Sequence, residues 1–485
     1  MNDKEASDVT MAQHIQTDIC VIGAGSGGLS VAAGAVQMGA RVVLIEKGDM
    51  GGDCLNTGCV PSKSLIAAGA AAQTFRASAA FGIAATEPEI DFAGVNRHVK
   101  SVIAAIAPMD SEERFTGLGV QVIRAAARFV GPREVEAGKI RVSAKWIVVA
   151  TGSRAGVPPI PGLDEVPFLT NETIFDLTSC PDHLLIVGGG PIGMEMAQAH
   201  RRLGARVTVL ERDRIMPKDD PELVDVVRRR VMAEGVSLVE GAEIVRVEQG
   251  DAGPVVVLET ETGQERVQGS HLLVAAGRQA NTETLDLEAG RVSYDRRGIT
   301  VDRRLRSVSN RRVFAVGDVA GQFQFTHIAG YHAGIVIRNI LFRLPAKTDD
   351  DAVPWVTYTA PELAHVGLSE SAARKRYGKV RTLTWSLEEN DRARAERETE
   401  GLVKIVTGPG GRVVGAGIVA PHAGELIQPL VLAVSQKIKV GALASMIAPY
   451  PTLGEAIKRA AGSYYTDTLF SDRTRRIVRF LMKFA

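Results

Sequence analysis

Cysteine is scarce in this 485-residue chain: there are four, and none follows Cys180. That scarcity excludes a small secreted scaffold held by disulfides. No run of 18 or more near-continuous apolar residues occurs, so no segment reads as a membrane-spanning helix. The polar opening stretch, residues 1–18, has no apolar core of signal-peptide length, and the expected location is cytoplasmic. An excess of charge of one sign is also missing, with Lys+Arg 57 against Asp+Glu 56 and a formal net charge of +1. Nothing in that balance calls for nucleic acid as a partner.

What is present is apolar residue and glycine: 45% of the chain is hydrophobic and 50 residues are glycine, many in short clusters. The length suggests about three domains of roughly 100–200 residues each.

One glycine cluster has a complete context. The apolar strand Ile19-Cys-Val-Ile22 runs into Gly23-Ala-Gly-Ser-Gly-Gly28, a helical pattern continues to Gln37, and a second strand, Arg41-Val-Val-Leu-Ile-Glu46, ends in an acid. That order is a dinucleotide-binding unit. Gly23 makes the tight turn, Gly25 admits the pyrophosphate to the backbone, Gly28 permits close helix packing, and Glu46 is placed to accept hydrogen bonds from an adenosine ribose. The unit repeats: Leu184-Leu-Ile-Val187 leads into Gly188-Gly-Gly-Pro-Ile-Gly193, a helix through His200, and Arg206-Val-Thr-Val-Leu-Glu211. Two complete units imply two dinucleotides. Glu211 favours the free 2′-hydroxyl of NADH over the phosphate of NADPH, with Arg212 and Arg214 near enough to compensate.

Between the units lie Ala-rich helical segments over residues 65–107 and a strand, Lys145-Trp-Ile-Val-Val-Ala150, followed by Thr151-Gly152. Pro158, Pro159 and Pro161 mark a boundary. Leu272–Gly277 closes the second unit, and Val313-Phe-Ala-Val-Gly317-Asp318 reads as a strand returning to the first. The expected plan is α/β, with two Rossmann-like domains and a C-terminal α+β dimerisation domain. The first nucleotide domain takes residues 1–155 and 281–350, the second 156–280, the dimerisation domain 351–470, and a basic tail 471–485. Val403–Val406 and Val413–Val419, around the Gly408–Gly411 turn, predict antiparallel strands in the last domain.

The stretch Gly51-Gly-Asp-Cys-Leu-Asn-Thr-Gly-Cys-Val-Pro-Ser-Lys63 places two of the four cysteines together. A structural zinc site needs four ligands, commonly from two CxxC-type pairs; here the spacing is CxxxxC with no second pair. Cys20 and Cys180 read as core thiols. Near a helix start, Cys54 and Cys59 suit thiol–disulfide exchange, because helix N–H groups favour a thiolate. Pro61 fits the first turn of that helix.

The stretch GGDCLNTGCVPSK, preceded by GAGSGG and followed far downstream by VFAVGD, resembles the class I pyridine nucleotide-disulfide oxidoreductases, which include dihydrolipoamide dehydrogenase and mercuric reductase. The resemblance implies FAD on the first unit, NADH or NADPH on the second, and a homodimer whose subunits complete one another's active sites. It implies that Cys59 is the flavin-proximal thiolate, Cys54 the interchange thiol, and Lys63 a residue near the flavin paired with Glu195. Gly23, Gly25, Gly28, Glu46, Lys47, Gly52, Thr151, Gly152, Gly317 and Asp318 would serve the FAD site, and Gly188, Gly190, Gly193, Glu211 and Gly277 the nicotinamide coenzyme. The acceptor would be a small thiol or disulfide, or a thiophilic metal ion.

Two departures bear on the acceptor. In Ala448-Pro-Tyr450-Pro-Thr-Leu-Gly-Glu455, Tyr450 stands where the disulfide-reducing members carry a histidine base followed by a glutamate, here Glu455. A phenol with an ordinary pKa of about 10 is a poor base at neutral pH. Mercuric reductases also use tyrosine there, yet they carry a C-terminal cysteine pair that this chain lacks. The expected activity is therefore mercuric reductase-like. Dihydrolipoamide dehydrogenase is the alternative within chemistry, and a flavoprotein partner subunit without substrate turnover is the alternative outside it. In the tail, Ile477, Phe480, Leu481 and Phe484 fall on one helical face, with Arg475, Arg476, Arg479 and Lys483 largely elsewhere. That face suits packing on the protein's own dimer, a membrane surface or a protein partner.

Overall fold

The computed structural model describes residues 13–260 and 263–484. The opening twelve residues used in the export reading, and Ala485 of the tail, lie outside them.

The first sheet has seven strands. Gln121–Arg124, Val42–Glu46, Gln13–Ile22 and Ile140–Val149 run parallel. Beyond Ile140–Val149 the sheet divides. The first half of that strand pairs antiparallel with Glu134–Ala137, while Ile147–Val149 pair parallel with Val313–Ala315. The chain thus leaves this sheet and returns to it after the second nucleotide unit. Its central strands are apolar on both faces, as a covered parallel sheet requires. Ile19 and Val21 pack with Leu29 and Val31 on one side, while Cys20 and Ile22 pack with Phe129 and Val135 on the other. Cys20 is fully buried, and burial pushes its thiol up to about 12.

The second unit is a parallel sheet in the order Val236–Glu240, Arg206–Glu211, His183–Val187, His271–Val274, with the helix Pro191–Arg202 crossing from the third strand to the second. A three-stranded antiparallel meander, residues 243–268, covers part of it. Passage between the two units uses a short antiparallel ladder, Ser153–Ala155 against Arg278–Ala280. The C-terminal part is a five-stranded antiparallel sheet that includes Leu402–Thr407 and Val413–Ala420 as neighbours. It docks on the second unit through Leu363 and Val419, which share a core with Leu223. Polar ties flank that core: Lys404 reaches Asp220 at 2.9 Å and Glu222 at 3.0 Å, and Trp355 Nε1 donates to Asp219 at 2.7 Å. Among the described residues, no helix is long and apolar enough to cross a membrane.

Candidate active site

The two glycine turns are built alike. Gly23 and Gly188 have φ of +104° and +109°, and a Cβ on either would meet the carbonyl oxygen of Ala150 at 2.4 Å or of Ala275 at 2.5 Å. A Cβ on Gly28 would lie 1.8 Å from the Gly23 oxygen, and one on Gly193 would lie 2.0 Å from the Gly188 oxygen. Gly25 and Gly190 begin their helices without a side-chain cap, which leaves helix N–H groups for an anion. The strand-end acids match too. Glu46 accepts the N–H of Ala24 at 2.6 Å and of Gly48 at 2.7 Å; Glu211 accepts those of Gly189 at 2.7 Å and Asp213 at 3.0 Å. Each carboxylate spans its turn with one bond per oxygen and keeps lone pairs for a ribose. These cradles fit two dinucleotides.

The first turn also positions the cysteines. Gly51 and Gly52 cross the Gly25 backbone, forming a bridge at Gly25–Gly51, and a Cβ on Gly52 would sit 2.7 Å from Gly25 Cα at a φ of +60°. The short helix Gly52–Asn56 starts there and carries Cys54; the helix Cys59–Ala77 starts with the second cysteine, with Pro61 in its first turn. The intervening Gly58 has no room for a side chain, because its Cβ would meet two Asp53 oxygens at 2.9 Å. Both thiols are free. The Cys54 thiol hydrogen-bonds to Cys59 and holds it well below the usual thiol range, helped by Thr326, whose Oγ1 lies 3.3 Å from Cys59 Sγ, and by the charge of Lys63. Cys54 is pushed up by the same bond and by burial. One thiolate and one thiol is the arrangement a dithiol needs for exchange or metal capture.

Lys63, one turn along the helix from Cys59, donates to Glu195 at 2.8 Å, and that carboxylate also accepts the Tyr358 N–H at 3.0 Å. The Glu195 side chain is 6% exposed, so its charge requires these partners. The Tyr358 ring lies under Lys63, its centroid 4.3 Å from Nζ.

On the other side of the pair, Arg278 donates to Asp53 at 3.0 Å and to Ser153, and Ser153 donates to Asp318. Burial pushes the Asp318 carboxyl up. Asn171 closes the network through Asp53 at 2.9 Å. Thr151 donates to the Asn281 carbonyl at 2.8 Å, and Gly152 and Gly277 adopt positive φ without a close neighbour.

Cys54, Cys59, Lys63, Glu195 and Asp318 line one cleft of 1890 Å³ together with Gly25, Gly190 and Glu211. Nine of the expected residues do not line it: Gly23, Gly28, Glu46, Gly52, Thr151 and Gly193 lie behind its wall, and Lys47, Tyr450 and Glu455 lie away from it. Lys47 is exposed at the end of its strand. Tyr450 is 70% exposed on the C-terminal part, donating to Asp391 at 3.0 Å, and Glu455 pairs with Arg459 at 2.9 Å. Sequence reasoning missed Asp53, Asn171, Ser153, Arg278, Thr326, Tyr358 and Asp391. Asp53 alone carried a signal, lying inside the cysteine stretch. His327 also lines the cleft, but its Nε2 lies 2.9 Å from the Pro354 carbonyl, which only accepts, so that nitrogen is already a donor.

FAD held on the first cradle would supply hydride acceptance and electron transfer. The glycine turn and Glu46 would hold it, while Cys59 at its helix start and the Lys63 ammonium would face it as thiolate and cation.

Residues 17–333 match the family model described as pyridine nucleotide-disulphide oxidoreductase, and residues 353–461 match its dimerisation domain. A mercuric reductase of Streptomyces lividans is 36% identical over 94% of this chain and 97% of its own length. A dihydrolipoyl dehydrogenase of Thermus scotoductus is 34% identical over 93% and 98%. Among solved structures, LpdA from Mycobacterium tuberculosis superposes with a TM-score of 0.84 at 29% identity, covering 92% of this chain and 99% of that one. The Cu(II) complex of the HOCl-induced flavoprotein disulfide reductase RclA from Escherichia coli gives 0.81 at 26%, covering 91% and 98%. Members of this family bind FAD and NAD(P)H, as the paired cradles require. The chain belongs to the pyridine nucleotide-disulphide oxidoreductases and is an NAD(P)H-dependent flavoprotein oxidoreductase acting on sulfur or a metal ion.

Proposed function

We propose that this enzyme oxidises NADH and reduces a thiophilic metal ion held by Cys54 and Cys59. The observation that carries the reading is Tyr450, in the position of the disulfide reductases' base, with its phenol donating to Asp391. That bond pushes the phenol's pKa up, away from any use as a base at neutral pH. Disulfide exchange with a thiol substrate needs a proton acceptor near Cys54, whereas a soft metal ion needs two sulfur ligands that release their protons to water. The similarity to mercuric reductases, and to a reductase solved with Cu(II), supports the same acceptor class.

In this proposal residues 1–155 and 281–350 carry FAD, 156–280 carry the coenzyme, and 351–470 pair two subunits. The C-terminal part of a second copy brings Tyr450 and Glu455 toward the cleft. NADH is favoured because Glu211 is fixed at its strand end, while Arg212 faces Asp213 at 3.7 Å and Arg214 donates to the Pro217 carbonyl at 3.2 Å.

The test is anaerobic NADH oxidation by FAD-loaded protein with a mercuric bis-thiolate complex, a copper salt, lipoamide and glutathione disulfide in turn. The expected order puts the metal complexes well above both disulfides. Tyr450→His restores an imidazole and is expected to raise lipoamide turnover about a hundredfold, the low end of general-base contributions. Rapid lipoamide turnover by the wild type, unchanged in Tyr450→His, would identify a dihydrolipoamide dehydrogenase working without that base.

A further inference from the structure

The family's dimerisation domain matches up to residue 461, yet the chain goes on through a helix, Asp472–Leu481, that buries no side chain. Ile477, Phe480 and Leu481 are 50%, 58% and 59% exposed, and Phe484 beyond the helix is 77% exposed. Their i, i+3, i+4, i+7 spacing puts them on one stripe, and the Phe480 and Phe484 rings meet at 5.1 Å. At about 100° per residue, Arg475, Arg479 and Lys483 fall on the opposite side, Arg476 at the edge of the stripe beside Phe480, and Arg473 on the stripe one turn before Ile477. The acids of this segment are already engaged: Asp467 faces Arg381 at 3.3 Å and Asp472 faces Arg475 at 3.7 Å.

We propose that this helix is an interfacial anchor that lays the enzyme on an anionic membrane surface. An apolar stripe containing two phenylalanines, with a cationic arc behind it, matches the boundary between acyl chains and acidic headgroups. The stripe sinks below the headgroups, and the long arginine stems carry their charges up to them. Charge decides against a second copy as the occupant. A two-fold contact through the stripe would turn both cationic arcs outward and leave them without countercharge, whereas an anionic bilayer answers the stripe and the arc together. A bilayer supplies countercharge along its whole surface and needs no shaped groove. This inference does not depend on which acceptor the enzyme reduces.

The experiment is flotation of the FAD-loaded full-length protein with phosphatidylcholine vesicles and with vesicles of phosphatidylcholine mixed with phosphatidylglycerol. Binding is expected to be at least about tenfold stronger to the mixture, given several cations at the surface, and to weaken as salt is raised. Phe480→Ser with Leu481→Ser should abolish it, as should Arg475→Gln with Arg476→Gln and Arg479→Gln. Both variants should remain dimers that reduce their flavin with NADH, because every substituted side chain is exposed. Equal binding to the two vesicle types, or none, overturns the proposal, as does binding that survives either variant. Loss of the dimer in the Phe480→Ser, Leu481→Ser variant assigns the stripe to a second copy and overturns it too.

Discussion

Replacing Lys63 by methionine keeps most of the side-chain volume and removes the cation from a carboxylate with almost no access to water. At 2.8 Å the pair attracts by about 6 kcal/mol at an effective dielectric of about 20. The Lys63 side chain is 37% exposed, so solvent screening reduces the loss to about 3 kcal/mol. That agrees with about 3–5 kcal/mol for breaking a buried pair from one side. Lys63→Met should therefore lower the urea midpoint of the FAD-loaded protein by an amount equivalent to about 3 kcal/mol. It should also raise the pKa of Cys59, whose thiolate loses the lysine's attraction. Adding Glu195→Leu separates the two effects. With no stranded carboxylate, stability should recover to within about 1 kcal/mol, the remainder being the lost acceptor of the Tyr358 N–H. The Cys59 pKa should stay raised, because the lysine is still absent. A double variant as unstable as Lys63→Met, or one in which Cys59 returns to its original pKa, would refute the reasoning.

Alkylation of Cys59, followed by peptide mapping, should rise with pH through a midpoint near 6. Below that midpoint the thiolate is lost. Against an unfolded value of about 8.5, its contribution to stability is full above 8.5 and disappears as pH falls through about 6. Cys54→Ala removes the largest stabilising contact and should move the midpoint upward; an unmoved midpoint would exclude that hydrogen bond as the cause. Gly52→Ala should lower the flavin-to-protein ratio retained through gel filtration, because its Cβ would press on Gly25 at 2.7 Å. Gly39→Ala is the control: its φ is +84° with open space around it, so it should cost about 1 kcal/mol of stability and leave flavin retention unchanged. Equal flavin loss in both would mean that backbone strain alone explains the effect.

The cleft was legible in sequence wherever its chemistry is local. The glycine turns, Glu46, Glu211 and the cysteine pair occupy short segments in which spacing fixes geometry within one turn or one strand. Lys63 and Glu195 are 132 residues apart and meet in the structure; their pairing followed from the resemblance. Arg278 with Asp53, across 225 residues, and Tyr358 with Glu195, across 163, gave no such signal. The first contact depends on the chain leaving its first sheet at Ser153–Ala155 and returning through Arg278–Ala280, the second on the C-terminal sheet docking against the second unit. Asp391 was hidden for a further reason. The family pattern directs attention from Tyr450 to Glu455, five residues on, but Glu455 turns to Arg459 along its own helix and the phenol goes to Asp391.

The matched acids carry a consequence for coenzyme choice. Because Glu211 spans the second turn through the N–H groups of Gly189 and Asp213, its carboxylate is part of the fold of that turn before it meets any ribose. Exchanging it for a small residue to admit the phosphate of NADPH would leave two turn donors without an acceptor as well as remove a repulsive charge. The two effects oppose each other in NADPH binding, and both act against NADH. Glu46 and the N–H groups of Ala24 and Gly48 repeat the arrangement at the first cradle, where the FAD proposed to occupy it would carry no 2′-phosphate to discriminate. A role that persists where discrimination is not needed belongs to the turn itself. The NADH preference proposed for the second site would therefore be built on a carboxylate that the fold already requires, and altering it would call for a replacement that still accepts both backbone bonds, as glutamine does only in part because its amide nitrogen can only donate.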